Sequence, residues 1–234
     1  MISVAGKVKL PDSIERQVEE LWQKEQKRRG LSVFNGRLLS AIESSSQRIV
    51  GRVVEYRLLI AQRARPELYE VLQVRPVAVS GLLECPDGIV FGRRAVTVTQ
   101  DAGLWELVPS GGLDATKFVA GEINYCAQIL GELQEEVGIG SESVSSVSPF
   151  CLIEDLESHV LDIGIAMMSP LTAAALVRHQ RSAGSGEYEE LRVVQRADLA
   201  EFMCRQASRL GRVTSALMGA FPGIRDAIQS GLEG

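Results

Sequence analysis

Residues 131–139 read Gly-Glu-Leu-Gln-Glu-Glu-Val-Gly-Ile, and this segment restricts the fold more than any other. Glu132, Glu135 and Glu136 stand at i, i+3 and i+4, with a glycine stop at Gly138. On a helix this spacing lays all three carboxylates along one face, about one turn apart. Like charges so placed repel by roughly 0.2–0.5 kcal/mol per pair in water. A hard divalent cation offsets that repulsion. Mg²⁺ takes oxygen ligands and keeps waters and substrate phosphates in its remaining positions. The segment therefore points to metal-assisted chemistry on a phosphate.

The elements around the segment alternate in type. Asp12 with Glu15 three residues on is a capping-box pattern, and Ile14, Val18, Leu21 and Trp22 follow at helical spacing, so residues 12–29 are expected to be a helix stopped at Gly30. Residues 37–62 hold strand-like pieces, and Pro66 and Pro76 bracket a short helical candidate. From Pro76 the pattern sharpens. Val77–Leu83 and Ile89–Arg94 read as strands joined by the turn Pro86-Asp87-Gly88. Trp105–Val108 is a short strand running into Pro109-Ser110-Gly111-Gly112, and the helix from about Asn124 to Val137 follows. Phe150–Ile153 and Leu161–Met168 are strands separated by the acidic loop 154–159. Pro170–Arg181 is helical, Tyr188–Val194 is a strand, and Asp198 caps a final helix running to about Gly211. This order predicts a mixed α/β or α+β sandwich.

Composition removes several classes of function. The chain has 234 residues, room for one large domain or one domain with an extension, and 45% apolar and 24% charged residues are ordinary for a globular protein. A net charge of −5 gives no electrostatic reason to expect nucleic acid as the main partner. The best apolar run, Leu161 to Val177, contains Asp162, Ser169 and Pro170 and is too short to cross a bilayer. Cys85, Cys126, Cys151 and Cys204 form no short pair, so free thiols in a reducing cytoplasm are expected. Two histidines, His159 and His179, cannot build a multi-histidine metal centre.

Taken together, the strand, the Gly-Gly turn, the loop and the helix ending in Glu132-Leu133, Glu135-Glu136 and Gly138-Ile139 resemble the Nudix box, G-x5-E-x7-R-E-U-x-E-E-x-G-U, where U is a bulky aliphatic. The second half matches without a gap. In the first half, Gly131 replaces the arginine, strict spacing puts Ile123 where a glutamate belongs, and Glu122 sits one residue early. The resemblance extends over roughly residues 76–205 and includes Glu187 to Val194, which looks like the late Nudix strand that brings another glutamate to the metal. Phe34-Asn35-Gly36, the long 113–121 loop and the missing arginine make the chain similar to the branch that hydrolyses UDP-glucose and UDP-galactose.

The resemblance implies a Nudix α/β/α sandwich with a mixed sheet on residues 76–215, an N-terminal α+β extension over 1–75 packing on it, and a C-terminal tail over 216–234. It implies hydrolysis of the pyrophosphate bond in a nucleoside diphosphate derivative, with a UDP-sugar first and ADP-ribose second. The alternative is a Nudix-fold binding or regulatory module without turnover. The cofactor expected is magnesium (Mg²⁺), with manganese (Mn²⁺) as a substitute. Glu132, Glu135, Glu136 and Glu187 would hold the metal, and Glu132, Glu135, Glu136 and Glu189 would carry the catalysis. Asp155, Glu157 and Asp162 are further candidates for accepting a proton from water. Arg52, Arg57, Arg93 and Gly112 are the residues expected at the nucleotide, with Arg94 beside them, since guanidinium suits phosphate oxygens. A small nucleotide is the partner expected, with no nucleic acid and no membrane; a homodimer is left open.

Overall fold

A computed structural model describes residues 1–5, 9–29, 34–98, 100–114, 118–119, 122–222 and 224. The expected helix stop at Gly30, Val33 and part of the 113–121 loop lie outside them, as does the side chain of Glu122. In chain order the elements are β1 (Ile2–Ala5), α1 (Asp12–Arg29), β2 (Arg37–Ser44), β3 (Ile49–Glu55), α2 (Tyr56–Ala64) and α3 (Tyr69–Leu72). Next come β4 (Val77–Cys85), β5 (Gly88–Arg94), β6 (Trp105–Leu107), β7 (Ser110–Gly112), β8 (Phe118–Val119), β9 (Glu122–Ile123) and α4 (Tyr125–Val137). The chain continues with β10 (Ser146–Asp155), β11 (Val160–Met168), α5 (Ala173–Ala183), β12 (Tyr188–Val194), α6 (Leu199–Arg205) and α7 (Arg212–Ala220). The fold is mixed α/β, as the sequence predicts.

The chain divides into two units. The first comprises Met1–Ala78, Gly112–Asn124 and Leu156–Leu161, and the second comprises Val79–Gly111, Tyr125–Asp155 and Asp162–Gly234. The first unit holds a five-stranded sheet in the order β2-β3-β1-β9-β8. It is mixed, since β1 runs parallel to β3 while β2 runs antiparallel to it. Val18 of α1, Val54 of β3, Leu58, Leu59 and Ala61 of α2, and Leu68, Leu72 and Val74 form its buried apolar cluster. The Phe34-Asn35-Gly36 tripeptide acts as a fastener for α2. The Asn35 side-chain oxygen accepts from the Arg57 N–H at 2.9 Å, and the Gly36 carbonyl accepts from the Tyr56 N–H at 2.8 Å. Two donors that the first turn of a helix leaves unpaired are thereby satisfied from a distant segment.

The second unit is built on a sheet ordered β10-β11-β4-β5-β12, with β6 paired to β5 and β7 to β4. Leu82, Ile89, Phe91, Trp105, Leu107, Val194, Leu199, Phe202, Leu210, Leu217 and Met218 form its core. The helix expected to run from Asp198 to Gly211 is interrupted. α6 ends at Arg205, and Gly211 is followed by the separate helix α7. α7 reaches into the stretch read as a tail and buries Thr214, Leu217 and Met218. The acidic loop is also shorter than expected, because Glu154 and Asp155 continue strand β10.

Candidate functional site

α4 carries the acidic stripe, and its burial separates the three glutamates. Ile129 and Leu133 are fully buried, and Glu136 shares their inward face at 1% exposure, whereas Glu135 is exposed and Glu132 half-buried. Gly138 ends the helix at φ +76°, with its N–H still bonded to the Gln134 carbonyl at 3.1 Å. Glycine takes this left-handed conformation without steric cost. The Ser185 N–H bonds the Glu135 carbonyl at 2.8 Å, tying the end of α4 to the loop that leads into β12.

The turn after β6 meets this helix directly. The Ser110 N–H donates to Glu136 Oε2 at 3.1 Å. A Cβ on Gly111 would overlap the Glu132 carboxylate, so the turn approaches the helix as closely as only glycine permits. A Cβ on Gly112 would meet nothing. The close approach to the helix therefore belongs to Gly111. Glu132 Oε1 accepts from Gln128 Nε2 at 2.5 Å, one turn back along α4.

Behind Glu136 lies a buried polar network that the spacing of residues did not reveal. The Tyr188 hydroxyl lies 3.0 Å from Glu136 Oε2 and 2.8 Å from Glu106 Oε1. Glu106 also accepts from Arg94 Nη1 at 2.6 Å and from the Ser110 hydroxyl at 3.1 Å. Arg94 Nη2 donates to Glu187 at 2.7 Å, and Arg94 Nε donates to the Gln100 carbonyl at 3.0 Å. A phenol has one hydrogen, so Tyr188 donates to one carboxylate at a time. Glu136 Oε1 is buried with no hydrogen-bond partner among the described residues.

Electrostatics follow from this crowding. Burial, then the charges of Glu187 and Glu106, push the Glu136 carboxyl well above the ordinary carboxylate range, against the pull of the Ser110 N–H and Tyr188. Burial also raises Glu106, although Arg94 opposes it. Burial pulls Arg94 down, but its carboxylate neighbours outweigh that and hold it above its usual value. The Tyr188 hydroxyl is raised well above its usual value by burial and by both carboxylates. Asp162, on β11, is pushed up to about 7 by burial, with a Ser80 hydrogen bond opposing and Glu106 adding to the rise; its Oδ1 has no partner among the described residues.

The remaining candidates have other surroundings. Glu189 Oε1 accepts from the Val96 N–H at 3.2 Å, and Glu189 Oε2 pairs with Arg93 at 3.2 Å. The β12–β5 register shifts between Tyr188 and Glu190, so strict alternation of faces does not run through this stretch. Arg52 and Arg57 belong to the first unit. Arg52 donates to the Leu72 carbonyl at 2.5 Å, and Arg57 pairs with Glu15 at 2.6 Å and with Glu55 at 2.5 Å. Asp155 pairs with Arg212 at 3.0 Å, and Glu157 is exposed. His159 stacks on Tyr69, with ring centroids 3.7 Å apart.

The donor set is all oxygen, as a hard divalent ion requires. Glu136 contributes one buried carboxylate oxygen without a hydrogen-bond partner among the described residues. Among the described residues, no three acidic, histidine or cysteine side chains converge at metal-binding spacing. No helix among them is long and apolar enough to cross a membrane.

No family model and no curated protein matches the chain. Solved structures do. DR0079 from Deinococcus radiodurans is 12% identical with a TM-score of 0.53, the match covering 79% of this chain and 99% of that one. The Nudix hydrolase RenU from M. smegmatis is 16% identical at TM-score 0.41, over 68% of this chain and 87% of that one. A bifunctional NMN adenylyltransferase/ADP ribose pyrophosphatase from Francisella tularensis, complexed with AMP and a Mn ion, is 15% identical at TM-score 0.42, over 68% of this chain and 46% of that one. The first of these superpositions shows a shared fold, and at its level of identity the likeness extends to the fold alone.

Proposed function

We propose that this chain is a Nudix-type hydrolase that cleaves the pyrophosphate bond of a nucleoside diphosphate joined to another group, a UDP-sugar before ADP-ribose. One observation carries the reading. The helix that ends in the box-like Glu-Glu-Val-Gly-Ile buries Glu136 against a Gly-Gly turn and leaves one carboxylate oxygen unpartnered. A buried acid beside two other acids is an arrangement that stability alone disfavours and that catalytic sites use.

Mg²⁺, or Mn²⁺ in its place, would supply charge neutralisation of the phosphates and acidification of water. Glu136 with Glu132, Glu135 and Glu187 would hold it. The Ser110 N–H and the Tyr188 hydroxyl lie at Glu136, Gly111 leaves room for Glu132, and Arg94 pairs with both Glu106 and Glu187. Arg93 is the guanidinium assigned to substrate phosphate, and Glu189 is kept as a candidate base.

The second reading, a binding module without turnover, is favoured by Glu135 standing exposed and by the lack of a three-ligand group among the described residues. The protein should be incubated with Mg²⁺ and a panel of UDP-sugars, ADP-ribose and dinucleoside polyphosphates, with products followed by phosphorus NMR. The expected result is turnover of one class, reduced about 100-fold or more by Glu136→Gln. Ligand binding without turnover would replace the hydrolase with the module.

A further inference from the structure

The side chains behind the stripe of glutamates have a geometric peculiarity. Glu136 is gripped through one oxygen only. Oε2 receives the Ser110 N–H and faces the Tyr188 hydroxyl, while Oε1 is left buried and open. The Ser110 N–H anchors Oε2 and the Tyr188 hydroxyl, whose one hydrogen is shared between Glu136 and Glu106, packs beside it, so both groups limit how the carboxylate turns and where its free oxygen points.

Tyr188 is itself held at its ring, its backbone and its hydroxyl. Its ring lies against Gly92 of the neighbouring strand, where an added Cβ would come within 2.5 Å of Cδ1. Its carbonyl accepts from Gln180 Nε2 of α5 at 2.8 Å. Its residue exposure is 2%, and it sits where the β12–β5 register shifts. Its hydroxyl spans to Glu106, which Arg94 and the Ser110 hydroxyl hold in turn. Ser110 therefore contributes to both carboxylates, with its N–H on Glu136 and its hydroxyl on Glu106.

We propose that Tyr188 is a positioning residue that aims the free oxygen of Glu136, with Glu106, Arg94 and Ser110 as the frame that holds its hydroxyl in place. The inference rests on the hydrolase reading above and adds to it the residues that orient the key carboxylate. Groups of this kind, which hold a ligating or reacting side chain without touching substrate, typically change metal affinity or activity by about 10- to 100-fold when removed.

The test is Tyr188→Phe, which keeps the ring on Gly92 and deletes only the hydroxyl. Wild type, Tyr188→Phe and Glu136→Gln would be compared in two assays, turnover of the best substrate against Mg²⁺ concentration and direct Mn²⁺ binding by electron paramagnetic resonance. Thermal melting would confirm that each variant is folded. The expected result is a fall in kcat of about 10-fold or more for Tyr188→Phe, with KM for the nucleotide unchanged and half-activation shifted to higher Mg²⁺. Mn²⁺ binding should weaken in parallel, a readout that loss of packing would not move. Wild-type behaviour of Tyr188→Phe, alongside loss in Glu136→Gln, would overturn the positioning role and leave the hydrolase standing. Neither turnover nor Mn²⁺ binding in wild type would overturn both. If Tyr188→Phe melts early, Gly92→Ala provides a second displacement of the ring and is expected to produce the same Mg²⁺ shift.

Discussion

Each unit contains an arginine surrounded by acids, and the two sites are built to different ends. Arg57 meets Glu15 and Glu55, whose side chains are 44% and 49% exposed. Arg94 meets Glu106 and Glu187, at 15% and 30%, and behind Glu106 stands the buried Glu136. The first cluster keeps its carboxylates in contact with water, where an ion pair costs little and contributes little. The second withdraws more negative charge than its single guanidinium balances. Crowding of this kind, three carboxyl groups round one guanidinium, is found at functional sites and in structural ion-pair networks alike, and it is what the hydrolase proposal draws on.

The sharpest test removes each arginine in turn. Arg94→Ala strands Glu106 in the interior and should destabilise the protein by about 3–5 kcal/mol in urea unfolding. A loss no larger than that of an exposed pair would break the contrast. Asp162 gives the next effect, as a buried carboxyl with no guanidinium at all. Its folded value of about 7 lies above the reference 3.8, so the folded state keeps a proton that the unfolded chain releases between those values. Its contribution is therefore fully present below about pH 4, declines as pH rises to about 7, and is flat above. Asp162→Asn cannot ionise and should gain stability over wild type across that window, by on the order of 4 kcal/mol at most at pH 8. Unfolding curves at pH 5 and pH 8 measure the difference, and equal gains at both would remove the buried charge as the cause. Arg57→Ala should produce the smallest change, about 1 kcal/mol or less, and that change should shrink with added salt.

Much of this architecture was legible in the chain. Tyr188–Val194 is a strand as expected, and the helix expected over Pro170–Arg181 is found at Ala173–Ala183, where Thr172 caps it, because both signals are local. β1 went unread because four residues acquire meaning only beside β3, nearly fifty positions away in the sequence. Gly211 reads as the end of the last helix, whereas it precedes the separate helix α7, whose contacts with the sheet no local pattern shows. The inward turn of Glu136 could have been read, since it lies three residues beyond Leu133 and seven beyond Ile129, on the apolar face. Glu106 left a fainter trace: one charge between Trp105 and Leu107 on a three-residue strand. Those two face the core, so the residue between them faces away from it, and its partners come from β5 and β12, which no local window could show.

The strand bearing Glu106 is also completed from far downstream. The Leu107 N–H donates to Thr214 Oγ1, the Trp105 carbonyl receives the Gly211 N–H, and Trp105 bridges Leu210. A chain ending before residue 210 would contain this strand, the Gly-Gly turn and the glutamate helix but would lack all three of these contacts. The strand that presents Glu106 thus depends on backbone and side-chain partners about a hundred positions further along the chain, so the C-terminal segment is part of what builds the acidic centre.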